Sequence, residues 1–273
     1  MNTVAVNGEL QPLEELRLRD FPNSFFFGAG FFETFLVSGG APLFLERHLS
    51  RLRASLEAHA DCVQAPPPEV LTPHAVRDSL RRCLEVDGDL GPGFTGVGKL
   101  VAGDGRLLLS FRSLSPQHER GLREGVVLEG VEEHAYRRAD PSLRHKSLSY
   151  LRQHAQMGRG RVFSNEVQEL CEAPNGNLFL LLGDTWVTPP VEAPCLPGTI
   201  RSVLLEERQL GGLPLVEQPV PRGRLEALRG CVLTNSVSLA LGVVRLLEHA
   251  LPDSQAWAER VRAQVTARAR QEG

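Results

Sequence analysis

Between Gly98 and Leu114 apolar and polar residues alternate on either side of a Gly103-Asp104-Gly105 turn, whereas Leu45, Leu49, Leu52 and Leu56 recur at the spacing of one helix face. A period of two alternates side chains across a strand, and a period near 3.6 stacks them on one side of a helix. The opening part of the chain must therefore combine a hairpin with a helix. The helical period returns from about His74 to Leu84, and the proline run Pro66 to Pro68 separates the two helices. Ahead of them, Thr3 to Val6 alternates up to an Asn7-Gly8 turn, and Leu10 to Leu18 leads into a phenylalanine-rich segment.

A polar connector, Ser115 to Arg120, interrupts both periods at Pro116 and places a domain boundary there. Residues 1-115 are expected to form a small N-terminal α/β domain, and residues 121-273 a larger C-terminal one. Beyond the connector the pattern predicts a strand at Val126 to Leu128, a helix starting near Ser147, and strands at Leu178 to Leu182 and Trp186 to Thr188. A helix after Pro197-Gly198, a strand at Cys231 to Thr234 and a helix from about Gln255 to Arg268 follow. The expected fold class is mixed α/β with antiparallel hairpins, and no fixed-period repeat is present.

At 273 residues and 42% hydrophobic content, the chain can bury the cores of two such domains. Met1 to Leu10 carries neither a basic leader nor a long apolar run, so the expectation is a cytoplasmic protein. Cys62, Cys83, Cys171, Cys195 and Cys231 are odd in number and show no Cys-x-x-Cys spacing, which argues against a disulfide framework or a zinc site and for reduced, buried thiols. A formal net charge of -3 gives no basic field for nucleic acid, which leaves small molecules as the expected partners.

Of 30 basic residues only Lys99 and Lys146 are lysine. Arginine replaces lysine as a surface charge but stays protonated and cannot act as an amine nucleophile, so each retained lysine is a candidate for chemistry. Lys146 lies in His145-Lys-Ser-Leu-Ser-Tyr150, read as the entry of a loop into a helix. Gly91-Pro-Gly-Phe-Thr-Gly96 matches a dinucleotide-binding pattern, yet polar residues precede it and a strand follows, so it reads as a loop. Downstream lie Glu172-Ala-Pro-Asn-Gly-Asn177-Leu-Phe179, Thr188-Pro-Pro190 and Leu196-Pro-Gly198-Thr-Ile-Arg201. A Pro-Gly turn opening straight into a helix presents unpaired N–H groups and a positive dipole end, which suits a phosphate.

Together these segments resemble the class IV aminotransferases, the fold type IV pyridoxal-phosphate enzymes that include branched-chain and D-amino-acid aminotransferases and aminodeoxychorismate lyase. Gly28-Ala-Gly30-Phe-Phe-Glu33-Thr34 is similar to the family's Gly-Asp-Gly-x-Phe-Glu-Thr, and His48-Leu-Ser-Arg51-Leu52 to its His-x-x-Arg-Leu. The segments at Lys146, Glu172, Leu196 and Thr234-Asn235-Ser236 follow in the family's order. The resemblance implies a two-domain fold like that of D-amino-acid aminotransferase, a cofactor (pyridoxal 5'-phosphate) in the interdomain cleft and a homodimer.

By the same resemblance, Lys146 is the catalytic residue that binds the cofactor covalently and moves protons, and Glu172 pairs with the pyridine nitrogen. Arg51, the N–H groups of Thr199 and Ile200, and the Asn235-Ser236 turn hold the phosphate, while Leu196 packs on the ring. The reaction implied is amino transfer between an amino acid and a 2-oxo acid. The alternatives are a lyase that releases pyruvate from aminodeoxychorismate and a cofactor-binding homologue without turnover. The sequence departs from the family at Ala29, Ala173-Pro174 and Thr199-Ile200. The Arg-x-His carboxylate trap of D-amino-acid aminotransferases is replaced by Gly98-Lys99-Leu-Val-Ala-Gly-Asp-Gly-Arg106, in which Lys99 and Arg106 are the basic side chains.

Overall fold

The computed structural model describes residues 2–87, 91 and 93–272, and the chain divides into two units. The first comprises residues up to 114 together with His145–Tyr150. Its strands are β1 (Thr3–Val6), β2 (Glu9–Pro12), β3 (Phe31–Ser38), β4 (Ala41–Pro42), β5 (Gly96–Gly103) and β6 (Arg106–Ser113), and its helices are α1 (Pro22–Phe27), α2 (Leu45–Ala58) and α3 (Pro73–Val86). The strands form one sheet in the order β2-β1-β6-β5-β3-β4, with every pair antiparallel.

Asp104 and Gly105 both have positive φ, 54° and 71°, which is the turn geometry whose twist matches a tight hairpin. In β3, alternation sends Phe31, Phe35 and Val37 into a core shared with Leu45, Leu49, Leu52 and Leu56 of α2 and Val76 and Leu80 of α3. Phe32 and Thr34 point to the opposite face. Of the Gly91 to Gly96 stretch, Pro92 lies outside the described residues, as do Gly88 and Asp89 before it; Gly96 opens β5.

The second unit comprises residues 115–144 and 151–272. Its strands are β7 (Val126–Leu128), β8 (Gly130–Tyr136), β9 (Arg161–Asn165), β10 (Glu172–Ala173), β11 (Gly176–Leu182), β12 (Thr185–Thr188), β13 (Gln209–Leu210), β14 (Leu213–Glu217), β15 (Leu228–Thr234), β16 (Leu241–Leu246) and β17 (His249–Ala250). Its helices are α4 (Pro116–Glu124), α5 (Leu151–Gln156), α6 (Thr199–Glu207) and α7 (Ser254–Glu272). A sheet in the order β13-β14-β12-β11-β15-β16-β17, extended by β10 on β11 and β7 on β16, carries the core around Leu178, Leu180, Cys231 and Leu233. β8 and β9 pair separately and in parallel.

The expected mixed α/β architecture is observed, and four local expectations change. The polar connector at Ser115 is helix α4: the Ser115 hydroxyl accepts from the His118 N–H at 3.2 Å, and Pro116 occupies the first helical position, where its missing N–H costs nothing. The helix expected near Ser147 begins only at Leu151. Residues ahead of it are extended because they pair with β3, through a Phe31↔Ser147 bridge and bonds from Phe32 N–H to Lys146 C=O and Leu148 N–H to Gly30 C=O, both 2.9 Å. This pairing also places Lys146 in the first unit, whereas the sequence reading assigned it to the C-terminal domain. Cys62 is exposed, and the other four thiols are buried. Among the described residues no helix is long and apolar enough to cross a membrane.

Candidate active site

In the first unit the extended segment of Lys146 lies beside β3, and the outward alternation of that strand brings Phe32 under the lysine. The Lys146 Nζ lies 4.4 Å from the centroid of Phe32 and 4.8 Å from that of Tyr150, and the two rings meet edge to face. Aromatic faces attract the ammonium and restrict its excursions.

On the inward face of β3, where the alternation demands an apolar side chain, stands Glu33, 1% exposed. Residues His48 and Arg51 are one helical turn apart on α2 and meet it together. The Arg51 Nε and Nη2 donate to the two Glu33 carboxylate oxygens at 2.7 and 2.6 Å, and His48 Nδ1 is 2.7 Å from Oε2. A carboxylate only accepts, so His48 carries its proton on Nδ1. Burial pushes the Glu33 pKa up, but the Arg51 charge and the hydrogen bonds from His48 and Arg51 outweigh it and hold the group at about 2. For His48 burial dominates in the other direction and lowers the pKa from 6.5 despite the pull of Glu33, with Arg51 and Lys146 adding to the lowering. The pair is thus an ionised carboxylate and a neutral imidazole at pH 7, and together they fix the plane of the Arg51 guanidinium.

In the second unit Glu172 sits at the start of the β10–β11 hairpin, opposite Asn177 in register, and is 6% exposed. Tyr136 O–H donates to its Oε1 at 2.9 Å, and the Leu196 N–H and the Asn177 amide donate to Oε2 at 3.0 and 3.4 Å. Asn177 also donates to the Leu196 carbonyl at 2.8 Å, and so ties the loop before α6 to the hairpin. A Cβ at Gly198 would lie 2.0 Å from the Asn177 Oδ1, so the helix can start this close to the hairpin only with glycine there. Thr199 and Ile200 are the first buried residues of α6. The hydroxyls of Thr199 and of Thr234, at the end of β15, are buried with no hydrogen-bond partner among the described residues. After Thr234, Asn235 Oδ1 accepts from the N–H groups of Val237 and Ser238, which shapes the turn containing Ser236.

The expected site residues thus fall into one set in the first unit, Lys146 and Arg51, and another in the second, Glu172, Leu196, Thr199, Ile200, Asn235 and Ser236. Arg106 is engaged by Asp20 at 3.4 Å. The sequence reading missed Tyr136, Asn177 and the Glu33–His48 pair as site components. A signal for Tyr136 existed: the chain has only two tyrosines, one against Glu172 and the other against Lys146. Fully buried Tyr136 also accepts from the Gln153 amide at 3.2 Å. Replacing it with phenylalanine leaves Gln153 and one Glu172 oxygen without that partner, and is expected to lower stability by about 1–2 kcal/mol. Urea unfolding measures this as a lower midpoint at unchanged slope.

A fold IV transaminase from Curtobacterium pusillum superposes with a TM-score of 0.82 at 22% identity, covering 99% of both chains. A hypothetical aminotransferase from Mycobacterium tuberculosis, bound to alpha-ketoglutarate and PMP, gives 0.81 at 23% identity, covering 97% of this chain and 99% of that one. The architecture is therefore that of the fold IV transaminases. In sequence, the model of the class IV amino-transferase family matches residues 30–246, and the chain belongs to that family of enzymes. The aminodeoxychorismate lyase of Bacillus subtilis (strain 168) is 27% identical over 246 residues, spanning 82% of this chain and 79% of that protein.

Proposed function

We propose that this chain is a pyridoxal-phosphate-dependent aminotransferase that moves an amino group between an amino acid and a 2-oxo acid. The residues present suit the cofactor. Two buried threonine hydroxyls without partners among the described residues, Thr199 at a helix N-terminus and Thr234 beside the Asn235-Ser236 turn, would suit the acceptor oxygens of a phosphate. Arg51, held flat by Glu33, supplies the countercharge. When bound, the cofactor supplies an electron sink for negative charge developing at the substrate α-carbon.

The observation that carries the reading is the setting of Glu172. A buried carboxylate given three donors is held ready for a cationic partner, and the protonated pyridine nitrogen is that partner. Leu196, fixed through its own N–H to Glu172, would pack against the ring of the bound cofactor. With the cofactor bound, Lys146 would hold it covalently, and its Nζ would be the group that takes and returns the proton at the substrate α-carbon. A homodimer in the cytoplasm belongs to the same reading. Phe25, Phe26 and Phe27 are 61%, 66% and 76% exposed, and a second copy would cover them; four buried thiols suit a reducing compartment.

The test is the visible spectrum of the purified protein with the cofactor. Amino donors are expected to bleach the band, and a 2-oxo acid to restore it. A band that no donor shifts would sink the transaminase reading. The likeness to the Bacillus subtilis lyase supports a second reading in the same site, and pyruvate released from aminodeoxychorismate, without transfer to any 2-oxo acid, would establish it.

A further inference from the structure

Tyr136 ends β8 with its ring fully buried beside Cys171 and Phe163, the centroid of the Phe163 ring lying 4.8 Å away. Phenylalanine would fill the same space, and the chain has 12 phenylalanines against two tyrosines, so what the position adds is a hydroxyl. That hydroxyl is the middle of a directed chain. The Gln153 amide of α5 donates to it at 3.2 Å, and it donates in turn to Glu172 Oε1 at 2.9 Å. A hydrogen bond accepted by an oxygen polarises the one that oxygen donates, so Gln153 strengthens the hold of Tyr136 on the carboxylate. The neighbouring Arg152, anchored by donating to the Ala135 carbonyl, places its guanidinium 5.8 Å from the centroid of the phenol ring and adds positive potential there.

The other two donors to Glu172 have duties of their own. Leu196 supplies a backbone N–H, and Asn177 makes its shorter bond, 2.8 Å, to the Leu196 carbonyl. A carboxylate and a pyridine nitrogen that meet in a buried site are two bases with one proton between them. Burial penalises the ion pair and draws the proton to the carboxylate, which leaves two neutral partners. Each hydrogen bond donated to the carboxylate opposes that transfer.

We infer that Tyr136, reinforced by Gln153, is a positioning residue that keeps this proton on the cofactor's ring nitrogen by stabilising the charge on Glu172. The inference rests on Glu172 being the partner of that nitrogen in the proposed function. Without the phenol the N–H bond breaks and an O–H bond forms on Glu172. One proton changes hands, both partners become neutral, and nothing else is consumed. The ring then draws electrons less strongly, so a hydroxyl that acts through Glu172 sets the strength of the electron sink.

Nitrogen NMR of the protein loaded with pyridoxal phosphate, ¹⁵N-labelled in the ring, reads the proton at pH 7 without any turnover. The unaltered protein is expected to show a protonated ring nitrogen, and Glu172→Gln, whose amide can donate to a bare nitrogen, to set the unprotonated end of the scale. In Tyr136→Phe the resonance is expected to move toward that end, the proton shifting about tenfold or more to the carboxylate, as the loss of a hydrogen bond to a charged group implies. Gln153→Leu breaks the same chain at a half-buried side chain without disturbing the core, and is expected to move the resonance the same way by less. A hydroxyl that served stability alone would lower the urea midpoint and leave the nitrogen of the bound cofactor where it was. A resonance that Glu172→Gln moves and that neither Tyr136→Phe nor Gln153→Leu moves overturns the inference and leaves the proposed function standing. A ring nitrogen indifferent to Glu172→Gln, or a protein that takes up no cofactor, overturns the role given to Glu172 and this inference with it.

Discussion

Replacing Lys146 with alanine is expected to abolish covalent attachment of the cofactor and to slow the half-reaction with an amino donor by roughly 10²–10⁴-fold, the range that general acid–base catalysis contributes. The side chain lies against Phe32 and Tyr150 and is only partly buried, so its removal opens no core cavity and the fold survives. Borohydride reduction followed by peptide mapping gives the readout. The unaltered protein retains the reduced cofactor on the peptide containing Lys146; the variant retains none, although it still binds the cofactor through the second unit's contacts. Label that persists in the variant, or that maps to Lys99, would show that the wrong lysine has been assigned. This outcome is informative because the two nitrogens share the Phe32 ring, and proximity alone does not choose between them. The pairing of the Lys146 segment with β3 favours Lys146, because its own C=O and the Leu148 N–H two residues on are bonded there and fix where its side chain starts.

What could be read from the sequence was whatever a short stretch of chain decides for itself. The β5–β6 hairpin follows from alternation and a turn that needs positive φ, and α2 from four leucines on one face. Lys146, Glu172 and the Pro-Gly entry to α6 stood out because their residue types are rare or chemically specific. Pro116 was misread because proline ends a helix from within but starts one from its first position, and only the Ser115 cap distinguishes the two. The extended path of Lys146 and its place in the first unit depend on pairing with β3, far away in the chain, which no local periodicity records. Tyr136 escaped for the same reason, since it ends β8 while its partner Glu172 lies on the separate β10–β11 hairpin. Glu33 sat within a recognised motif, and an acid at a position where the alternation demands an apolar residue was itself a sign of a buried partner.

Removal of that acid is the second large effect. Glu33→Ala leaves the Arg51 guanidinium and the His48 imidazole in the core of the first unit without their shared carboxylate, and breaking a buried charge pair in this way is expected to cost about 3–5 kcal/mol. Glu33→Gln, which keeps one acceptor and the volume, should lose less. The pH dependence separates this from simple loss of packing. The Glu33 pKa is depressed from 4.5 to about 2 in the fold, so its contribution is fully present above pH 4.5 and disappears as the pH falls toward 2, because in that interval the unfolded chain takes up a proton that the folded one refuses. Those two and a half units correspond to about 3 kcal/mol. His48 acts in the same direction from a higher starting point. Its folded pKa lies below 6.5, so from pH 6.5 downward the unfolded state is again the better proton binder and stability falls. Urea unfolding measured from pH 7 to pH 3 should therefore show a fall in the unaltered protein that begins with His48 and steepens below pH 4.5. In Glu33→Gln the lower part should be shallower by the share that Glu33 contributes, with Asp78, Asp104 and Glu166, whose pKa values are also lowered by their hydrogen bonds, supplying the rest. A variant whose stability declines in parallel with the unaltered protein across that interval would mean that the carboxylate is not held ionised by Arg51. The groups that fix the Arg51 guanidinium in the place proposed for a phosphate contact would then have to be sought elsewhere on α2.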